Sequence, residues 1–117
     1  MEEPYRDPTP FEREMLERLA FLSASSDDIR RQAASCRVRS IPGYGDHYGT
    51  FEIEVDGERG KRDLRAVVDT LARDVDGALI EAILFSSEGG ICEVEIFRPD
   101  GSPILRMPRP SEFDLFV

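Results

Sequence analysis

Three turn signals in the second half of the chain, separated by short alternating stretches, constrain the fold more than any other feature of the sequence. Asp76-Gly77 is a two-residue hairpin signal, and residues 87–90 and 99–102 hold the glycines and proline that tight reversals use. Between the turns, residues 78–85 and 91–98 alternate apolar and polar side chains, as strands with one covered face do. The pattern predicts an antiparallel β-meander.

The first third of the chain predicts two helices. Thr9 precedes Pro10 and stands three residues before Glu12, which is the spacing of a capping box at a helix start. Apolar residues follow at helical spacing as far as residue 22. Asp27 and Asp28 suit the positive end of a second, shorter helix that runs to about residue 35.

Residues 36–40 and 50–55 alternate with period two and predict two further strands. Residues 64–75 fit a helix and a strand equally in their apolar spacing. We favour the strand, because a helix would leave the hairpin signal after residue 75 unused. Residues 103–107 begin with a proline, which favours a strand at the edge of the sheet.

One α+β domain accounts for the whole chain of 117 residues. Two N-terminal helices pack on a mainly antiparallel β-meander sheet. Residues 1–8 are expected to form an extended lead-in, and residues 108–117 an irregular tail.

A two-residue loop at Asp76-Gly77 places Val75 opposite Ala78 and sets the register of the meander. In this register one face is apolar and receives the helices: Leu79, Ile83, Phe85, Cys92, Val94 and Ile96. The opposite face carries an apolar strip among charged residues: Val67, Leu71, Val75, Ile80, Leu84 and Phe97 with Asp69, Arg73, Glu93 and Glu95. Such a strip is typical of a contact surface, unless residues 36–55 or the apolar tail 113–117 cover it.

A glycine-rich loop at residues 42–49 holds the single histidine of the chain. Asp46 precedes His47, and Tyr44 and Tyr48 lie on either side. The loop can be a plain exposed connection, a contact loop with the tyrosines and the histidine as anchors, or the seat of acid-base chemistry by the Asp-His pair. A single histidine supports catalysis least.

The charge balance excludes several classes of partner. The net charge is −9, and residues 66–117 alone carry ten acidic and four basic side chains, a net of −6. Nucleic acids and anionic membranes repel such a surface. No apolar run is long enough for a membrane span, and no leader sequence is apparent, so we expect a cytoplasmic protein.

The sequence predicts no metal site, cofactor or disulfide. Cys36 and Cys92 lie in alternating apolar stretches, where free thiols are usually buried, and with His47 they show no zinc-ligand spacing. The glycines match neither phosphate-binding fingerprint. Glu93 and Glu95 share one strand face and are expected to form a charged rim.

Residues 76–103, with their Asp-Gly, Gly-Gly and Pro-Asp-Gly-Ser turns, together with the Thr-Pro-Phe-Glu opening at residues 9–12, resemble a group of small uncharacterised bacterial proteins. The chain is similar in style to the immunity proteins encoded beside polymorphic toxins. That resemblance implies an acidic α+β protein without catalytic residues, whose partner is another protein.

The functional prediction is a non-catalytic, acidic protein-binding domain, most concretely an immunity protein that neutralises a basic toxin domain. Complementary charge would speed the encounter, and the apolar strip would hold the complex. The expected contacts are these: Tyr44, Asp46, His47, Tyr48, Asp69, Leu71, Ile80, Glu93, Glu95 and Phe97. The alternative is a homodimeric structural or regulatory domain that uses the same strip, and an enzyme ranks third.

Overall fold

The computed structural model describes residues 4–24, 26–41, 49–59, 63–88 and 90–115. Helix α1 spans Pro10–Leu22 and helix α2 spans Ser26–Ser35, as predicted. The capping box is present: Thr9 Oγ1 accepts from the Glu12 amide at 3.2 Å, and Glu12 Oε1 accepts from the Thr9 amide at 2.8 Å. Neither helix is long and apolar enough to cross a bilayer.

Seven strands form one antiparallel sheet over the described residues. They are β1 (Arg37–Ser40), β2 (Phe51–Val55), β3 (Glu58–Arg59), β4 (Arg65–Arg73), β5 (Leu79–Ser87), β6 (Gly90–Phe97) and β7 (Asp114–Leu115). Six of them lie in the order β1-β2-β6-β5-β4-β7, and β3 pairs with β2. The predicted α+β fold is confirmed, and residues 65–73 are a strand rather than a helix.

The helices and one face of the sheet share a single buried cluster. Met15 and Leu19 of α1 meet Phe51, Val94 and other strand side chains in this cluster, all with no exposed surface. The chain end contributes as well. Phe113, between a short 3-10 turn at Pro110–Glu112 and β7, is fully buried, so the tail is part of the core.

Two predictions about the chain ends have different outcomes. The lead-in is extended where it is described, and Arg6 forms an antiparallel bridge with Val38 of β1. The edge strand expected at residues 103–107 is wrong, because this segment pairs with no strand. The backbone amides of Leu105 and Arg106 donate instead to the carboxylate of Asp74, at 2.7 and 3.0 Å.

The predicted register between β4 and β5 is also wrong, by one residue. The connection has three residues in its loop: the Asp74 amide donates to the Ala78 carbonyl, and the Gly77 amide donates to the Asp74 carbonyl. Gly77 has a φ of +88°, the left-handed conformation that closes this type of loop. Arg73 therefore pairs with Leu79, and each β5 side chain lies on the face opposite to its predicted one.

This register reverses the predicted faces of β5. Ile80 and Leu84, expected on the outer strip, have no exposed surface and belong to the core. Leu79, Ile83 and Phe85, expected in the core, lie on the other face. The predicted positions of Val94 and Ile96 are correct, because a β-bulge beside Cys92 compensates for the shifted register on β6. A second bulge, at Val67, turns that side chain toward the core.

Candidate functional site

The sheet face that carries no helix presents carboxyl groups and large apolar side chains together. We call it the open face, and define it by the alternate residues of β2, β4, β5 and β6: Glu52, Asp69, Leu71, Glu81, Ile83, Phe85, Glu93, Glu95 and Phe97. All nine are partly exposed. The open face therefore combines five carboxyl groups and four apolar side chains on four paired strands.

Ile83 lies at the centre of the open face. Asp69 on β4 and Glu95 on β6 are its direct cross-strand partners. Glu81, two residues before Ile83, pairs in the same way with Leu71 and Phe97. Directly paired side chains on a sheet have Cβ atoms about 5 Å apart, so an apolar centre lies within contact distance of several carboxyl groups.

Crowding of these carboxyl groups shifts their protonation. Burial, a hydrogen bond that the protonated carboxyl donates to Asp69, and the charges of Asp69 and Glu95 raise the pKa of Glu81 to about 7. Burial, together with Glu95 and Glu52, also raises the pKa of Glu93. A proton on Glu81 thus gives the Asp69 carboxylate a donor within a group of like charges.

Basic side chains are sparse in the middle of the open face. No ion pair joins Asp69, Glu81 or Glu93 to a basic side chain within the described part of the chain. The negative potential at the centre of the face is therefore not neutralised by the described residues.

The margin of the face at β1 and β2 is built differently. Arg39 pairs with Glu52 at 2.7 Å, and its guanidinium lies 4.5 Å from the ring centroid of Tyr5. The Tyr5 hydroxyl donates to Glu52 as well, at 3.2 Å. Through Tyr5, the N-terminal lead-in therefore contacts the sheet at this margin. Neither β1 and β2 nor the described part of the tail covers the centre, because they extend the sheet sideways as strands.

Half of the predicted contact residues lie on the open face, namely Asp69, Leu71, Glu93, Glu95 and Phe97. Ile80 does not, because the register places it in the core. Tyr44, Asp46, His47 and Tyr48 lie outside the described residues. Sequence reasoning missed Glu52, Glu81, Ile83 and Phe85, and only the true length of the hairpin loop would have revealed the last three.

The described residues offer little for metal or thiol chemistry. They contain no group of three or more histidine, cysteine or acidic side chains that could hold a metal ion. Cys36 and Cys92 are buried free thiols. Burial raises both pKa values, that of Cys92 to about 11, so neither thiol is an activated nucleophile at neutral pH.

Comparison with known proteins gives a family without an assigned activity. No curated protein and no solved structure matches the chain. One family model does match, over residues 5–108, which takes in both helices and strands β1 to β6. The chain therefore belongs to DUF6984, a family described as a domain of unknown function.

Proposed function

We propose that this domain is a non-catalytic binding module whose open face docks on a basic domain of another protein. The observation that carries the proposal is the combination of five carboxyl groups and four apolar side chains on the side of the sheet opposite the described helices. An apolar patch within a charged rim is the usual composition of a specific protein interface.

Charge and apolar surface have separate roles in this proposal. The net charge of −9 and the carboxyl groups of the open face attract a basic partner and speed the encounter. Ile83, Phe85 and Leu71 then lose contact with water, which slows dissociation. A basic group that docks between Asp69, Glu81 and Glu95 also relieves the repulsion that raises the pKa of Glu81.

We further propose that the basic partner is a toxin domain, which the module neutralises in the cytoplasm as an immunity protein does. Blocking an active site requires a stable complex and no chemistry from the inhibitor. The small size, the acidity and the α+β fold support this proposal.

A homodimer through the same face is the second hypothesis, and the charges disfavour it. A two-fold axis would bring one open face against an identical one. Asp69, Glu81, Glu93 and Glu95 would then meet four more carboxyl groups, whose repulsion opposes association at neutral pH. An enzymatic role rests on Asp46 and His47, and no described residue adds support to it.

The test is binding to a basic C-terminal domain encoded by a neighbouring reading frame. We expect a one-to-one complex, and the Glu93→Gln/Glu95→Gln variant should lower the association rate constant about tenfold at low salt. The matched control is Glu14→Gln/Glu17→Gln, which removes the same charge from the exposed surface of α1.

Two results would contradict the proposal. One is equal loss of binding in both double variants, which would reduce the effect to net charge. The other is the absence of any neighbouring gene for a basic domain, combined with no binding when the closest basic candidates are tested by calorimetry.

A further inference from the structure

A cleft at the end of β4 brings three arginines together on this acidic protein. Arg73 at the end of β4, with Arg106 and Arg109 from the segment after β6, lines a cavity of about 330 Å³, and we call it the arginine cleft. All three arginines are exposed. The volume is near the lower end of the range for small-molecule sites.

A buried carboxylate holds the two walls of the cleft together. Asp74 accepts from the backbone amides of Leu105 and Arg106, from the Val75 amide at 2.8 Å and from Arg98 at 3.1 Å. Its side chain has no exposed surface. The end of β4 and the segment that carries Arg106 are thus fixed relative to each other by the protein's own hydrogen bonds.

The arginines of the cleft form no ion pairs with described carboxylates. No ion pair to Arg73, Arg106 or Arg109 occurs among the residues that the structure describes, although acidic side chains are in excess. Arg73 donates one hydrogen bond, to the carbonyl of Gly77 at 2.8 Å. Most of the guanidinium donors therefore remain available to a ligand.

The charge of the lining defines the ligand class. Arg98 pairs with Asp74, Asp76 and Asp100 together, so it does not cancel the charge of Asp74 alone, and Glu112, which accepts from the Arg109 backbone amide at 2.6 Å, offsets a second arginine. The lining itself therefore carries three arginines against Asp74 and Glu112, a net charge of +1. A phosphate monoester carries a charge of about −2 at neutral pH, and its oxygens match the planar fork of guanidinium donors.

We propose that the arginine cleft binds the phosphate group of a small phosphate monoester. The three guanidinium groups supply hydrogen-bond donors for the phosphate oxygens, and the net charge of the lining has the sign that a phosphate requires. Arg73 follows Asp69 and Leu71 on one face of β4, so the cleft adjoins the open face at the end of this strand, but phosphate binding there does not depend on the function proposed above.

The test is a titration of the intact protein with inorganic phosphate, followed by amide and arginine Nε–H NMR shifts. We expect saturable shifts at Arg73, Arg106 and Arg109, and an affinity about tenfold weaker in Arg106→Gln, which loses charge-assisted hydrogen bonds. Arg65→Gln is the matched control, because Arg65 is an exposed arginine at the opposite end of β4. The control should bind phosphate as the unchanged protein does.

Phosphoserine and citrate distinguish the chemistry of the ligand. Phosphoserine should bind at least as well as phosphate, since both present the same dianion. Tighter binding of citrate than of either phosphate would overturn the assignment to phosphate monoesters. Shifts that do not saturate at tens of millimolar phosphate, or equal weakening in Arg106→Gln and Arg65→Gln, would show that the cleft is not a site.

Discussion

Replacing Glu81 by glutamine tests how much the crowded carboxyl groups of the open face destabilise the fold. The pKa of Glu81 is raised from 4.5 to about 7 by burial and by the carboxyl groups of Asp69 and Glu95. Between these two pH values the folded chain holds a proton that the unfolded chain has released. The free energy of unfolding therefore falls as pH rises from about 4.5 to 7, and the penalty stays above pH 7.

The magnitude follows from the size of the pKa shift. For a fully buried group, a shift from 4.5 to about 7 corresponds to about 3 kcal/mol. Glu81 is partly exposed, so solvent screening reduces this to about 1 to 2 kcal/mol. Glutamine keeps the shape of the side chain and can donate to Asp69. At pH 8 we expect Glu81→Gln to unfold with a free energy about 1 to 2 kcal/mol higher than the unchanged protein.

Urea unfolding at a series of pH values from 4 to 8 measures this difference. The gain should disappear at pH 4, where Glu81 is protonated and resembles glutamine. Glu14→Gln, which removes a carboxyl group from the exposed surface of α1, is the control for the loss of one negative charge. An equal gain at pH 4 and pH 8, or an NMR titration that places the Glu81 pKa near 4.5, would refute the reasoning.

Three further substitutions test other parts of the structure. Thr50→Val should cost about 2 to 3 kcal/mol in urea unfolding, because the Thr50 hydroxyl accepts from the amide of Ile96 and donates to its carbonyl, and both become unpaired. Phe113→Ala should cost about 3 to 5 kcal/mol by the same assay, since this tail residue is fully buried. Arg98 lowers the pKa of Asp100 to about 2. The stability that Asp100 contributes is present above about pH 4 and lost toward pH 2, so urea midpoints of Asp100→Asn and the unchanged protein should converge there.

Local signals in the sequence predicted the elements well, and the hairpin loop shows where they stop. The capping box of Thr9 and Glu12, and the turn at Asp76-Gly77, both occur where the sequence places them. An Asp-Gly pair fits a two-residue loop and a three-residue loop alike, however. The choice depends on Asp74, whose carboxylate accepts from residues about thirty positions later in the chain. The local spacing of residues around the turn does not reveal hydrogen bonds to residues so far along the chain.

The same long-range contacts explain the remaining misses. A strand at residues 103–107 needs free backbone amides, and Asp74 takes two of them. Ile80 was predicted on the open face, but because the register differs by one residue, Glu81 and Ile83 lie there instead. The existence of an acidic and apolar sheet surface and its residues on β4 and β6 were therefore predictable, but its residues on β5 were not. The arginine cleft unites Arg73 with residues far along the chain, so no sequence motif marks it.

The bridge between Arg6 and Val38 has a consequence for how the protein avoids aggregation. Its two backbone hydrogen bonds, of 2.8 and 2.7 Å, occupy donors and acceptors at the outer side of β1. At the opposite border, β7 has only two residues and offers a short template. Fibril growth by strand addition needs a long, unpaired border. A truncation that removes residues 1–8 would expose the backbone donors and acceptors on the outer side of β1. We expect this truncation to favour strand pairing between molecules, which would be measured as concentration-dependent turbidity.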